Sequence, residues 1–412
     1  MVGLQDTKLI RIEGCEVCGA SELEQVLDLG LHPLCDDLIP VGDDRRSQEY
    51  PISLSYCATC STVHQNFQIP KKLLFPTTYH YRAQHTKDVL DGMRQLVDRC
   101  DSELSGLAGL TVLDIGCNDG SLLSIFAERG AKTLGIEPTG AAADARKAGH
   151  TVFEDYFGPA LAEQVVSEHG HPDIITFTNV FAHIENLQEV IDALRKLVGP
   201  KTMLVIENHY LGAVLDRHQF DTFYHEHPRT YSKSSFDHIA KSLGMKIAAV
   251  EYPSRYGGNI RVLMKVGKAD ESTGTVAAEA DFEQRLRDMN DRIPRWQKAK
   301  RSEIDKLVSQ HGALPAKAFP GRSAILIKLL GLDETMVSAV YEKPGSMKLG
   351  HFVPGTRIPI VSDDEFAGRK SKDAPLLNFA WHISTEIHQY MRSSGFNGEI
   401  VDIFSPTEFE AA

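Results

Sequence analysis

The sequence predicts an α/β protein in three parts: a small cysteine-bearing N-terminal domain, a core built on a parallel sheet, and a second, smaller α/β domain at the C-terminus. Three observations predict this. Two CxxC pairs fall within the first 75 residues. From about residue 108, short apolar runs alternate with helical patterns, the signature of a largely parallel sheet covered by helices. After a polar, charged interval at 268–311, the same alternation resumes over 312–412. A chain of 412 residues is too long for one ordinary core, so several domains are expected.

The N-terminal part (1–75) carries CEVC (Cys15, Cys18) and CATC (Cys57, Cys60). Each CxxC turn presents two thiolates to one tetrahedral ion, and two turns complete a closed four-sulfur zinc site. The competing reading is a redox pair, but two such turns in a polar segment without a flanking βαβ pattern point to structural zinc. The interval between the pairs exceeds a compact zinc ribbon and must be filled by a small strand-rich subdomain. Cys35 is the odd thiol out.

The core spans 76–267, with 76–107 as a leading helical segment. LTVLDIGCNDGSLL reads as strand, glycine turn and helix start, followed by the strand KTLGIEP and the helix AAADARKAG. DIITFTNVFA, TMLVIENHY, KIAAVEYP and NIRVLMKVG continue as strands, with helices such as NLQEVIDALRKLVG between the earlier ones. The closely paired last strands suit an antiparallel edge. The linker stretch FEQRLRDMNDRIPRWQKAKRSEIDKLVSQ is helical in pattern, with a break expected near Pro294.

LDIGCNDG (Leu113–Gly120) opens a turn at the carboxyl end of the first core strand, where open sheets bind ligands. Glu137, at the end of the next strand, can accept both hydroxyls of a ribose, as a carboxylate in a dinucleotide enzyme also would. The D-x-G-x-x-x-G form resembles the S-adenosylmethionine-dependent methyltransferases and implies a class I, Rossmann-like core. By that resemblance Asp114, Gly116, Asn118 and Gly120 shape the methionine side of the pocket, Glu137 takes the ribose, and Asn179 and Phe181 in TNVFAHI close over the adenine.

FYHEHPRTYS (Phe223–Ser232) gathers two tyrosines, two histidines, a glutamate and an arginine downstream of the strand TMLVIE. An imidazole is a natural base near physiological pH, a phenol can bond a developing oxyanion, and a carboxylate can orient the imidazole. Removing a proton from carbon beside a carbonyl needs such a set. O-methylation would need only the base, and a polar loop capped by local hydrogen bonds needs neither.

Taken together, the paired CxxC turns around GLHPL, the VLDIGCNDGSLL loop, NVFAHI, the run E-N-H-Y…F-D-T-F-Y-H-E-H, YGGNIRV and KLGHFVPGTRIPI resemble the sugar C-methyltransferase family, over nearly the whole chain. The resemblance implies S-adenosylmethionine as cofactor and a nucleotide-linked 4-keto-deoxysugar, of dTDP type, as substrate. It implies His227 as the base at C3, Tyr224, Glu226 and His183 beside the sugar, and Tyr79 or Tyr81 of TTYHYRAQHT leaning into the site. His225 is then the structural member of the HEH pair. The family's glycine-rich turn at the start of the C-terminal domain is replaced by ALPAKAFPGRSAILIK, read as a loop in which Lys317, Arg322 and Ser323 meet phosphate. Lys348 would serve the nucleotide-sugar side.

Net charge is −12, from 44 basic and 56 acidic residues, with no basic run. That argues against nucleic acid as a partner and disfavours an RNA methyltransferase. No stretch approaches a membrane span and the N-terminus lacks an apolar signal core, so a cytoplasmic protein, monomer or homodimer, is expected. A non-catalytic nucleotide-sugar scaffold is the competing reading from another class; the intact glycine loop and YHEH run argue against it.

Overall fold

The computed structural model describes residues 9–75, 82–85, 87–267, 277–367 and 374–412. They divide into two compact units, each discontinuous in sequence: the described parts of Met1–Glu24, Ser55–Val214 and Glu226–Glu283, and those of Gln25–Leu54, Leu215–His225 and Gln284–Ala412. The first 75 residues are thus shared between the units.

The first unit is built on seven strands: β1 (Thr111–Ile115), β2 (Lys132–Ile136), β3 (Thr151–Phe153), β4 (Ile174–Thr178), β5 (Met203–His209), β6 (Met245–Glu251) and β7 (Asn259–Val266). Their order is β6-β7-β5-β4-β1-β2-β3. All pairings from β5 to β3 are parallel, while β7 runs antiparallel to both neighbours. The central strands are buried on both faces, which explains why they read as continuous apolar runs. The helix α1 (Lys87–Leu104) buries Val89, Met93, Leu96 and Val97 along one stripe. Helix α2 (Ser121–Glu128) starts behind Gly120, and α3 (Leu187–Leu197) is capped by the Asn186 side chain accepting from the Glu189 N–H at 3.1 Å. Helix α4 (Lys233–Ser242) opens on a Ser232–Ser235 capping box. From the N-terminal part, the short strand Thr62–Gln65 pairs antiparallel with Arg229–Thr230, tying the second CxxC turn to the chain just past the YHEH run.

Helix α5 (Phe282–His311) passes through Pro294 without ending, so the expected break does not occur. Proline removes one N–H from the ladder, but Met289, Ile293 and Trp296 on either side are buried and hold the helix together.

The second unit carries a five-stranded, wholly parallel sheet: β8 (Leu314–Lys317), β9 (Val337–Glu342), β10 (Ile360–Ser362), β11 (Leu376–Asn378) and β12 (Ile400–Asp402), in the order β10-β9-β8-β11-β12. The sequence LPAK, expected to be loop, is therefore the central strand. Proline seldom occupies such a place; here the register shifts between Leu314 and Pro315, which accommodates the missing donor. The turn after β8 passes through Ala318 at φ +61°, a left-handed conformation that glycine adopts at less cost. It leads into α6 (Ser323–Leu330).

Candidate functional site

Strands β1 and β4 are neighbours whose onward connections leave in opposite directions, the switch point at which open sheets bind ligands beyond their carboxyl ends. Gly116 sits there at φ +73°, and a Cβ on it would lie 2.5 Å from Val180 Cγ2. The bare backbone is thus required by the close approach of the turn after β4. Asn118 is also left-handed, at φ +51°. Its N–H and that of Thr139 each donate to Glu137 at 2.9 Å, one to each carboxylate oxygen. Each oxygen keeps a second acceptor site, so the carboxylate fits a ribose diol. Asp114 is enclosed beneath the turn and accepts from Thr176 Oγ1 at 2.6 Å; burial pushes its carboxyl up to about 7, with the nearby Glu137 charge adding to the rise.

The other expected cofactor residues are placed differently. A Cβ on Gly120 would meet His150 and Ala145, so this glycine serves the packing of α2 against the following helix. Asn179 accepts from Asn259 Nδ2 at 3.1 Å, and the same amide donates to Glu207 at 3.0 Å. The Phe181 ring is turned wholly into the core, among Phe177, Tyr231 and Phe236.

Beside this turn three imidazoles converge at the carboxyl end of the sheet. His227 lies 4.7 Å from His183 and 5.2 Å from His209, ring centre to ring centre. His183 follows β4, His209 ends β5, and His227 arrives from the YHEH run. His183 Nδ1 bonds the Glu226 carbonyl at 2.7 Å, and burial lowers its pKa to about 4, so it is neutral at physiological pH. Phe75 stands edge-on to His183 at 5.4 Å. Glu226 and His227 are buried and Tyr224 is half-buried. Tyr79 and Tyr81 lie outside the described residues. Further along, the Ala83 and Gln84 N–H groups donate to Asn118 and Asp119 of the turn after β1.

The boundary between units falls within the run, after His225. In the second unit His225 Nε2 bonds the Tyr50 carbonyl at 3.1 Å, and burial lowers its pKa to about 4.

The sulfurs of Cys15, Cys18, Cys57 and Cys60 all lie within 4.8 Å of one another. Such a set of four fits one tetrahedral zinc ion. Their mutual hydrogen bonds push the Cys15 thiol up to about 12 and Cys57 down, as expected of sulfurs that cannot all ionise without a cation. His64 Nε2 lies 3.3 Å from Cys15 Sγ, an outer contact of the kind that orients ligands.

In the second unit the cations expected to meet phosphate are committed elsewhere. Lys317 Nζ bonds both Asp363 oxygens at 2.7 Å and is almost fully buried. Arg322 forms a two-pronged pair with Asp221, at 2.8 and 2.6 Å. Ser323 Oγ donates to the Phe379 carbonyl at 2.6 Å, and Lys348 Nζ to the Phe319 carbonyl at 2.6 Å. Each of the four thus has a partner within its own chain.

Comparison with known proteins follows this architecture. A zinc binding domain model matches residues 15–75, a methyltransferase domain model residues 81–250, and a C-methyltransferase C-terminal domain model residues 254–401. The three matches follow one another along the chain as zinc-binding, methyltransferase and C-terminal parts. The chain is 27% identical over 387 residues to the C-methyltransferase NovU of Streptomyces niveus, covering 91% of each chain. It is 38% identical over 102 residues to a ubiquinone biosynthesis O-methyltransferase of Pseudomonas paraeruginosa, spanning 24% of this chain and 44% of that one. Among solved structures it is similar to magnesium protoporphyrin IX methyltransferase from Synechocystis PCC 6803, at TM-score 0.35 and 21% identity, over 44% of this chain and 86% of that one. The protein is an S-adenosylmethionine-dependent C-methyltransferase of class I fold with a structural zinc site. No described helix is long and apolar enough to cross a membrane.

Sequence reasoning missed three residues of this C-methyltransferase. His209 stands in the quoted ENHY run, and its place as the last residue of a central strand was a usable signal. His64 and Arg229 gave none, because their partners are remote in sequence.

Proposed function

We propose that this C-methyltransferase methylates C3 of a nucleotide-linked 4-keto-deoxysugar, of dTDP type, in the making of a branched deoxysugar. The observation that carries the reading is the cluster of His183, His209 and the buried His227 beyond the carboxyl end of the sheet. The 4-keto group acidifies the C3 hydrogen. His227 takes that proton, and the electron pair moves toward the ketone oxygen as an enolate. The Tyr224 phenol donates to that oxygen, while His183, kept neutral by burial, adds no competing positive charge beside the base. Glu226 orients the sugar or the imidazole. S-adenosylmethionine, when bound, supplies an electrophilic methyl to the carbanionic C3.

The test is isotope exchange in D2O with S-adenosylhomocysteine in place of the donor. The reading predicts deuterium at C3 of a 4-keto-6-deoxysugar nucleotide, and methylation at that carbon when the donor is supplied. Methylation of a hydroxyl without C3 exchange would indicate an O-methyltransferase, and neither event a scaffold.

A further inference from the structure

Asp221 lies three residues before Tyr224, in the segment Leu215–His225 that belongs to the second unit. Its carboxylate is almost fully buried and receives three donors. Arg322 gives Nε at 2.8 Å and a second nitrogen at 2.6 Å, and Trp381 gives Nε1 at 2.8 Å. The guanidinium also reaches Gln219 Oε1 at 3.2 Å and lies over the Trp381 ring at 5.2 Å. On one side of Asp221, Phe220 is locked among Trp296, Phe404 and Phe409. On the other, His225 is tied to the Tyr50 carbonyl. The segment bearing Tyr224 is therefore anchored three residues before the phenol and again at the residue after it.

A buried ion pair adds little to stability over apolar residues of the same volume, because desolvation offsets the attraction. What a two-pronged arginine pair does supply is fixed geometry. We infer that Asp221 and Arg322 are positioning residues for the Tyr224 phenol. The inference rests on the reading of Tyr224 as the enolate donor. It also accounts for Arg322, which opens α6 at the place where phosphate binding was expected: the guanidinium recognises a carboxylate of its own chain.

The test is a double-mutant cycle on the full-length, zinc-loaded enzyme, with Tyr224→Phe as the second arm. Asp221→Asn should lower kcat by about 100-fold, the order expected when a reacting group is misplaced by an ångström, while KM for S-adenosylmethionine stays put. The paired change Asp221→Asn with Arg322→Met removes both charges together, keeps the fold free of a buried unpaired cation, and should show the same loss. Arg322→Lys, which keeps charge but not the fork, should fall between. In the Tyr224→Phe background none of these changes should cost anything further. Losses that multiply in that background would overturn the positioning role while leaving Tyr224 as the donor. A Tyr224→Phe enzyme at full rate would overturn the donor reading itself, and the inference with it.

Discussion

Arg229 donates to the carbonyl of Ile184, the residue that follows His183. Its guanidinium also pairs with Glu16, inside the first CxxC turn, and its Nε donates to Tyr231 Oη at 3.0 Å. The side chain is fully buried and lies two residues past His227. One guanidinium thus joins the cysteine cluster to the turns that carry two of the three clustered imidazoles. Arg229→Met should leave Glu16 poorly compensated, costing about 3–5 kcal/mol of stability, and should lower kcat more than it weakens cofactor binding. Urea melts and isothermal titration with S-adenosylhomocysteine check both halves. Unaltered turnover in a folded Arg229→Met enzyme would refute the link.

The zinc site makes a separate prediction. Ser232 and Ser235, which cap α4, both donate to the Cys60 carbonyl at 3.2 Å, so the second CxxC turn is bonded to a helix of the core unit. Stripping zinc with a chelator, or replacing Cys60 by Ser, should lower the melting temperature and loosen α4. Hydrogen exchange of the α4 amides before and after chelation reads this directly, and zinc analysis should give one ion per chain in the intact protein. Full amide protection of α4 without zinc would argue against this coupling.

At the cofactor turn, Gly116→Ala places a methyl against Val180 at a φ of +73°. The strain and the clash together should cost about 1–3 kcal/mol and weaken S-adenosylhomocysteine binding. Adding Val180→Ala should recover the part due to the clash and leave the backbone part. Equal affinity in Gly116→Ala and wild type would show that the turn is not constrained as described.

Stability against pH tests the burial of Asp114. Its folded pKa of about 7 lies above the ordinary value of 3.8. The folded state therefore binds more protons than the unfolded state between these values, so this group's contribution is full below pH 3.8 and is lost as pH rises through about 7. His225 has the opposite sense. Its pKa is lowered to about 4 from 6.5, so its contribution is lost as pH falls across that window. Asp114→Asn should flatten the decline between pH 4 and 7, and His225→Gln should flatten the acid-side loss. Urea midpoints measured across pH separate the two.

Much of this molecule is legible in the sequence because the signals are local. VLDI, IITFT and MLVIE declare central strands by unbroken burial, and two CxxC turns declare a four-sulfur cluster by spacing alone. The central strand Leu314–Lys317 was hidden because Pro315 contradicts the local rule, and only the parallel neighbours on both sides impose the extended form. The partners of Arg322 were hidden for a different reason. A guanidinium near a helix start suits phosphate and carboxylate equally well, and Asp221 is 101 positions away. His209 is legible as the last residue of a central strand, where open sheets bind ligands, but its imidazole partner 5.2 Å away is 18 positions on in the sequence.

The central claim is that His227 removes a proton from sugar carbon so that this carbon takes the methyl. Its most direct test is a proton–carbon correlation spectrum after incubation with methyl-13C S-adenosylmethionine and a set of nucleotide-linked 4-keto-6-deoxysugars. The account predicts a labelled methyl in the aliphatic C-methyl region, reduced by about two to four powers of ten in rate in His227→Asn, with S-adenosylhomocysteine binding retained. A labelled methoxy signal, or an undiminished C-methyl signal from His227→Asn, would contradict it.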